Sequence, residues 1–128
     1  IKRYDVIVFN YHDPFRNEDV YYIKRVIGLP GETILIKEGL VYLVDEDGNE
    51  VLLNEDYGYY SMGYKMQSYL AAVPIKIPEG EYFVLGDNRN DSYDSRQIGT
   101  IKKEDILGRA WLRFYPFNKI RFVGHRKD

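Results

Sequence analysis

The sequence predicts a mainly β fold, in which a folded antiparallel sheet core carries a smaller inserted β region. Apolar and polar residues alternate over several short segments, and turns rich in Gly, Pro, Asn or Asp separate them. Aromatic residues, which favour strands, make up 16% of the chain. A length of 128 residues suits one domain. We therefore expect one core over residues 1–128, with residues 38–80 as the inserted subregion.

Turn signals bound the predicted elements. A polar turn through Asp13-Pro14 joins the first two strands, and Glu38-Gly39 indicates a hairpin between the third and fourth. One short helical turn is expected at 102–106. In chain order, the predicted strands are 6–11, 20–27, Thr33–Lys37, Leu40–Val44, 50–53, 73–77, Glu81–Leu85, 108–115 and 119–123.

Composition narrows the classes of function. The chain has no Cys, which excludes disulfides and thiolate metal ligands, and its net charge of −2 argues against nucleic acid as a partner. No apolar run reaches the ~18 residues of a membrane-spanning helix. We expect His12 and His125 to be solvated rather than bound to a metal, and we expect no cofactor. The Tyr-rich stretch 57–69 is interpreted as a loop or exposed hairpin.

Lys24 lies in a segment of β-forming residues that ends in a Pro-Gly turn. Because side chains alternate across a strand, Lys24 shares a face with Tyr22 and Val26, whereas Arg25 points the other way. Apolar neighbours remove water from the amine and lower its pKa, which a general base working near neutral pH requires. The alternative is that Lys24 extends to solvent at a strand edge.

The stretch 86–99 interleaves Asp and Arg with hydroxyl and amide side chains, and a Gly closes each end. It has too many polar groups for a core and too few apolar ones for an ordinary strand. We interpret it as a loop that its own hydrogen bonds and ion pairs hold rigid, as is typical where something must be positioned. A well-capped turn without function is the alternative.

Taken together, these segments resemble type I signal peptidases, the membrane-bound serine proteases that remove signal peptides from exported proteins. No single segment is decisive, but their order and spacing both fit. The matching segments are Asp5-Val6-Ile7-Val8-Phe9, Ile23-Lys24-Arg25-Val26-Ile27-Gly28-Leu29-Pro30-Gly31, the whole stretch 86–99, Ile106-Leu107-Gly108-Arg109-Ala110 and Tyr115-Pro116-Phe117-Asn118.

The resemblance implies a serine–lysine dyad on a catalytic core of the signal peptidase kind. Lys24 would be the general base, and the hydroxyl of Ser92 would hold the lysine nitrogen in place. The resemblance assigns the remaining site residues to two groups. Those that brace the polar loop against the lysine strand are Arg25, Asp87, Arg89, Asp94, Ser95 and Arg96, and those that line pockets for small substrate side chains are Val8, Tyr22 and Ile23.

The resemblance places the nucleophile in a Ser-Met-x-Pro segment upstream of Asp5, so we expect it to lie outside this chain. Ser61-Met62 repeats the dipeptide but lacks the proline and follows Lys24. Since most oxyanion donors would come from the same upstream segment, this polypeptide alone is expected to be inactive. It would be the downstream fragment of a larger serine endopeptidase.

The implied partners are signal peptides of exported preproteins, docked as an added strand beside the lysine strand. A membrane anchor preceding the nucleophile would hold the enzyme at the cell membrane, with its catalytic domain on the extracytoplasmic side. The alternative is a non-catalytic assembly factor of the same fold that binds pilin-type proteins. Because such factors lose the dyad, the presence of Lys24 and Ser92 favours the protease.

Overall fold

The computed structural model describes residues 1–53, 73–89 and 93–110. These residues form two antiparallel sheets, as the sequence predicts for a mainly β fold. The strands are β1 (Val6–Asp13), β2 (Glu18–Gly28), β3 (Thr33–Lys37), β4 (Leu40–Val44), β5 (Glu50–Leu52), β6 (Ile75–Lys76), β7 (Glu81–Leu85), β8 (Ile101–Lys102) and β9 (Ile106–Ala110). A helical turn, α1 (Ser95–Ile98), precedes β8, and a 3₁₀ turn (Lys103–Asp105) follows it.

The larger sheet has the strand order β8-β7-β2-β1-β9, and its centre is the long hairpin of β1 and β2. The hairpin register runs from Val6 opposite Arg25 to Asp13 opposite Glu18. At its turn, the Asp13 carboxylate accepts a hydrogen bond from the Phe15 backbone N–H at 2.9 Å. Period-two alternation then divides the side chains of the hairpin between the two faces of the sheet.

The smaller sheet, ordered β5-β4-β3-β6, covers part of one face of the larger sheet. Its β3–β4 hairpin turns at Glu38 and Gly39, both with positive φ (52° and 80°), as in a type I′ turn. Buried side chains from both sheets form the inter-sheet core, which consists of Ile27, Ile34, Ile36, Val41, Leu53, Ile77, Phe83 and Leu85.

A second cluster of buried side chains lies on the opposite face of the larger sheet. We call it the lysine-face core, and its members are Ile7, Phe9, Val26, Tyr82, Val84 and Ile101. Val26 and Ile27, adjacent in β2, therefore enter different cores, as the predicted alternation requires. Among the described residues, no helix is both long and apolar enough to cross a bilayer.

The observed elements follow the predicted ones closely. The helical turn expected at 102–106 is the 3₁₀ turn Lys103–Asp105. Strand β6 is shorter than predicted, and β9 already begins at Ile106. The predicted strand at 119–123 and the Tyr-rich stretch 57–69 lie outside the described residues. Treating residues 38–80 as an inserted unit stays a prediction.

Gly28 lies where β2 reaches the inter-sheet core and where its pairing with β7 shifts register. A Cβ at this position would meet Ile77 Cδ1 and, at 2.9 Å, Ile34 Cγ1. Both neighbours are completely buried. We therefore expect Gly28→Ala to lower the free energy of unfolding by about 1–3 kcal/mol through overpacking. Chemical denaturation monitored by circular dichroism measures this loss.

Ile77→Val provides the matched test, because it removes the Cδ1 atom that the new methyl group meets. The double variant Gly28→Ala/Ile77→Val should lose less stability than the sum of the two single variants. An unchanged denaturation midpoint for Gly28→Ala, or strictly additive losses, would contradict the steric explanation.

Candidate active site

Lys24 lies on β2 opposite Ile7 of β1, on the face that carries the lysine-face core. Its side chain is half-buried, and its amine lies 5.5 Å from the centroid of the Tyr22 ring. Val26, two residues along the same strand, is fully buried. The structure therefore places the Lys24 amine against apolar and aromatic surface, as the alternation predicts.

Burial lowers the pKa of Lys24 below its ordinary value of 10.5, because the charged amine loses hydration. The carboxylates of Asp94 and Asp87 act to raise this pKa, whereas the guanidinium of Arg96 acts to lower it. Burial prevails over the carboxylates. Burial therefore favours the neutral amine, which is the form that can accept a proton.

Arg25, the neighbour of Lys24, fastens β2 to the polar loop from the other face of the strand. Its Nε and Nη2 donate to the two Asp87 carboxylate oxygens at 3.0 and 2.9 Å, and both residues are buried. Its Nη1 donates to the backbone carbonyl of Tyr4 at 3.1 Å. One guanidinium therefore joins the lysine strand, the loop and the segment before β1.

Asp94 is the centre of a second buried ion pair within the loop. Its carboxylate accepts from Arg96 Nε and Nη2, both at 2.8 Å, and from the Gly86 backbone N–H at 2.9 Å. It also caps α1 by accepting from the Arg96 backbone N–H at 3.1 Å, while Gln97 Oε1 accepts from the Asp94 N–H at 2.8 Å. This capping box holds the loop in one conformation.

The remaining brace residues tie the loop to itself and to β7. Arg89 Nε donates to the Gly86 carbonyl at 2.8 Å, and Arg96 Nη1 donates to the Arg89 carbonyl at 2.7 Å. The buried Ser95 hydroxyl accepts from the Val84 backbone N–H at 2.9 Å. All five predicted brace residues of the loop are buried and hydrogen-bonded, so the described parts of the loop, 86–89 and 93–99, are well connected.

Aromatic rings form a cluster beside Lys24 that the sequence interpretation missed. Tyr11 stacks on Tyr22 with centroids 5.7 Å apart, and Phe9 and Tyr93 approach Tyr22 edge-on at 6.0 and 6.2 Å. Tyr93 also approaches Tyr11 edge-on at 6.5 Å. The positions of Phe9 and Tyr11 two apart on β1 signal that they share a face, but nothing local predicts that Tyr93 joins them.

The predicted pocket residues do not all lie together. Val8 and Ile23 are directly opposite each other across β1 and β2, on the face away from Lys24. Tyr22 lies on the lysine face, beneath the amine. Ser92, the predicted second serine, lies outside the described residues, between Arg89 and Tyr93. The contact between its hydroxyl and the Lys24 amine therefore stays a prediction.

The edge of β2 toward β7 is only partly paired. Strand β7 pairs with β2 between Arg25 and Gly28. Within residues 1–53, 73–89 and 93–110, no strand pairs with residues 18–24 on that side. An added peptide strand pairs with the backbone donors and acceptors of a strand edge of this kind.

His12 is exposed at the far end of the β1–β2 hairpin. Its ring nitrogens lie 2.9 Å from an Asp19 carboxylate oxygen and 3.2 Å from the Asn17 side-chain oxygen. The hydrogen bond to Asp19 raises the pKa of His12. His125 lies outside the described residues.

The fold, with its half-buried lysine beside a braced loop, indicates one class of protein, the signal peptidases. Residues 1–115 match the signal peptidase family, peptidase S26. The chain belongs to that family.

Curated relatives agree with this assignment. The chain is 37% identical over 121 residues to a probable signal peptidase I-2 of Synechocystis sp., and 38% identical over 122 residues to a signal peptidase I of Bacillus licheniformis. These matches cover 93% and 94% of the chain but only 50% and 62% of the relatives, so the chain spans less than two thirds of their length.

A solved structure shows the same fold. A crystal structure of a signal peptidase I from Enterococcus faecalis superposes with a TM-score of 0.64 at 34% sequence identity. The superposition covers 87% of this chain and 97% of that one. The predicted fold class is thereby confirmed.

Proposed function

We propose that the complete protein is a serine endopeptidase that removes signal peptides from exported preproteins, with Lys24 as its general base. The observation that carries this proposal is the Lys24 amine, half-buried against the Tyr22 ring and lowered in pKa by that burial. Membership of the signal peptidase family supplies the reaction class. The geometry supplies the reason that an amine can serve as the base.

In the proposed mechanism, the neutral Lys24 amine takes the proton of a serine hydroxyl while the serine oxygen attacks the scissile carbonyl carbon. The tetrahedral intermediate collapses by breaking the C–N bond, and the ammonium returns its proton to the leaving amine. Lys24 then deprotonates the water that hydrolyses the acyl-enzyme ester. We propose that the nucleophile is the serine of a Ser-Met-x-Pro segment of the complete protein.

The Ser92 hydroxyl is proposed to orient the Lys24 amine rather than to react. The sequence supports this role, since Ser92 stands two residues before Asp94, whose carboxylate acts on Lys24. The brace made by Asp94 and Arg96 and by Arg25 and Asp87 fixes the two ends of this loop. A rigid support is what a dyad needs, because a misplacement of about 1 Å can cost roughly a hundredfold in rate.

The substrate is proposed to bind as an extended strand beside residues 18–24 of β2. Its alternate side chains would then meet opposite faces of the sheet, with Val8 and Ile23 on one face and Tyr22 on the other. We propose that small residues precede the cut, that an anchor elsewhere in the complete protein holds it at the cell membrane, and that the catalytic domain lies on the extracytoplasmic side.

A cleavage assay on the complete protein in detergent, with an exported preprotein as substrate, tests this function. The wild type should produce one new N-terminus after small residues. Ser92→Ala should lower kcat by about tenfold to a hundredfold and retain residual cleavage, because the hydroxyl orients the base. Sequencing of the product identifies the cut.

Ser68→Ala is the matched control, since it removes a hydroxyl to which the mechanism gives no role, and it should cleave at the wild-type rate. A full rate in Ser92→Ala would contradict the orienting role of that hydroxyl. Binding of pilin-type proteins without any cleavage by the wild type would instead support the assembly-factor alternative.

A further inference from the structure

The aromatic cluster joins two parts of the site that are distant in sequence. Tyr11 and Tyr22 belong to the β1–β2 hairpin, whereas Tyr93 belongs to the polar loop. Tyr11 and Tyr93 also meet directly, with their rings edge-on. The ring of Tyr22 is therefore held by neighbours from both parts, and it is the ring against which the Lys24 amine lies.

We propose that Tyr93 and Tyr11 are positioning residues for Lys24, which hold the Tyr22 ring beneath the amine and fasten the polar loop to the β1–β2 hairpin. The proposal deepens the proposed function and rests on it for the effect on cleavage. The effect on the Lys24 amine itself needs only the geometry described above.

The contacts around Tyr22 explain how a residue without direct contact to the amine can act on it. Phe9 and Tyr93 meet the Tyr22 ring edge-on, at interplanar angles of 69° and 72°, and Tyr11 stacks on it at 24°. Such rings prefer these offsets, so they fix the orientation of Tyr22. Loss of the Tyr93 ring leaves Tyr22 open on its loop side and lets water reach the amine.

The residue that follows Tyr93 in the loop is firmly held. Tyr93 directly precedes Asp94, which is fully buried and accepts hydrogen bonds from the loop backbone and from Arg96. Tyr93 nevertheless is partly exposed, at 40%. A ring next to an anchored residue and with contacts on one side suits a clamp between the loop and the hairpin rather than a core residue.

A substitution at Tyr93 removes none of the described charged groups that act on Lys24. From the loop, these are Asp87, Asp94 and Arg96. On β1 the residue opposite is Ile7, which has no charge, and on β9 the neighbour of Ile7 is Arg109, which lies 3.5 Å from Asp5. A change in the titration of Lys24 in a Tyr93 variant therefore reports either hydration of the amine or a shift of the loop that carries these charges, and both follow from loss of the positioning contact.

Competitive acetylation of the complete protein across pH, read by mass spectrometry of the Lys24 peptide, tests the proposal. Tyr93→Ala should shift the titration of Lys24 upward, toward the ordinary lysine pKa, because the amine regains water. Tyr11→Ala, which removes the ring stacked on Tyr22, should shift it in the same direction, whereas Tyr93→Phe keeps the ring and should leave it close to the wild type. Tyr21→Ala, which removes a ring that is 67% exposed on the opposite face, should leave it unchanged.

Cleavage gives the second readout. The acid limb of the kcat profile should move to higher pH in Tyr93→Ala, with kcat at neutral pH lowered by about tenfold. Identical Lys24 titrations in the wild type, Tyr93→Ala and Tyr11→Ala would overturn the proposal, and Tyr11→Ala keeps this outcome accessible if Tyr93→Ala does not fold. A shifted titration in a protein that cleaves nothing would leave the positioning role standing and remove the proposed function.

Discussion

Lys24→Met should abolish cleavage by the complete protein, lowering kcat by about 10³-fold or more while the fold persists. The methionine side chain has a similar length and fits the apolar surface around Tyr22, but it cannot accept a proton. General-base catalysis of this kind contributes roughly 10²–10⁴ in rate, and without it the serine stays a weak nucleophile. Single-turnover assays on a preprotein measure the loss.

The same variant should be at least as stable as the wild type. Because burial lowers the pKa of Lys24, the unfolded chain binds the lysine proton more tightly than the folded chain does. The free energy of unfolding therefore rises with pH between the lowered pKa and 10.5, and the cost of the buried charge is fully present below that window. Lys24→Met should gain stability below the window, with a gain that shrinks across it.

Lys37→Met is the matched control, since Lys37 is a more exposed strand lysine that pairs with Glu50 in the smaller sheet. It should leave kcat unchanged. Normal turnover by Lys24→Met would contradict the assignment of the base. A clear loss of stability in Lys24→Met at neutral pH would contradict the claim that the folded chain disfavours the charged amine.

Asp94→Asn should give the largest loss of stability among single substitutions in the site, about 3–5 kcal/mol. The change keeps the shape of the side chain but leaves the Arg96 guanidinium buried without its counter-charge. In the wild type, the Arg96 side chain and the backbone N–H of Gly86 donate to the Asp94 carboxylate. The variant places an amide N–H, which is itself a donor, against these donors. Urea denaturation of the variant measures this loss.

An exposed ion pair supplies the comparison. Asp5 and Arg109 lie 3.5 Å apart near the surface, and Arg109→Ala should cost less than about 1 kcal/mol. If the two substitutions lowered the free energy of unfolding equally, burial would not explain the stability that the Asp94–Arg96 pair contributes. In the complete protein, Asp94→Asn should also lose cleavage, because the loop that faces Lys24 would no longer be held.

Much of this architecture follows from local pattern. Alternation along β2 assigns Lys24, Tyr22 and Val26 to one face and Arg25 to the other, and the structure has them so. The composition of the polar loop likewise indicates a rigid brace, and its described residues Asp87, Asp94 and Arg96 are buried and paired. Local sequence is enough for these two features. Strand periodicity fixes the face of each side chain, and the cost of an unpaired buried charge favours pairing between neighbouring charged residues.

Other features depend on contacts between distant segments and are invisible in local pattern. Residues 95–98 read as part of a loop, yet they form a helical turn because Asp94 and Gln97 complete a capping box. Tyr93 gives no sign in the sequence that its ring joins Tyr11 and Tyr22. The need for glycine at Gly28 arises only when Ile77 and Ile34 of the other sheet pack against it.

The contacts of Arg25 have a consequence for the order of events during synthesis. Its carboxylate partner, Asp87, follows it by 62 residues, so the nascent chain carries Lys24 long before the brace exists. Contacts of such high sequence separation form late, after the local hairpin. The lysine thus leaves the ribosome as an ordinary protonated amine, and its pKa falls only once the downstream half of the domain has been made and buries it.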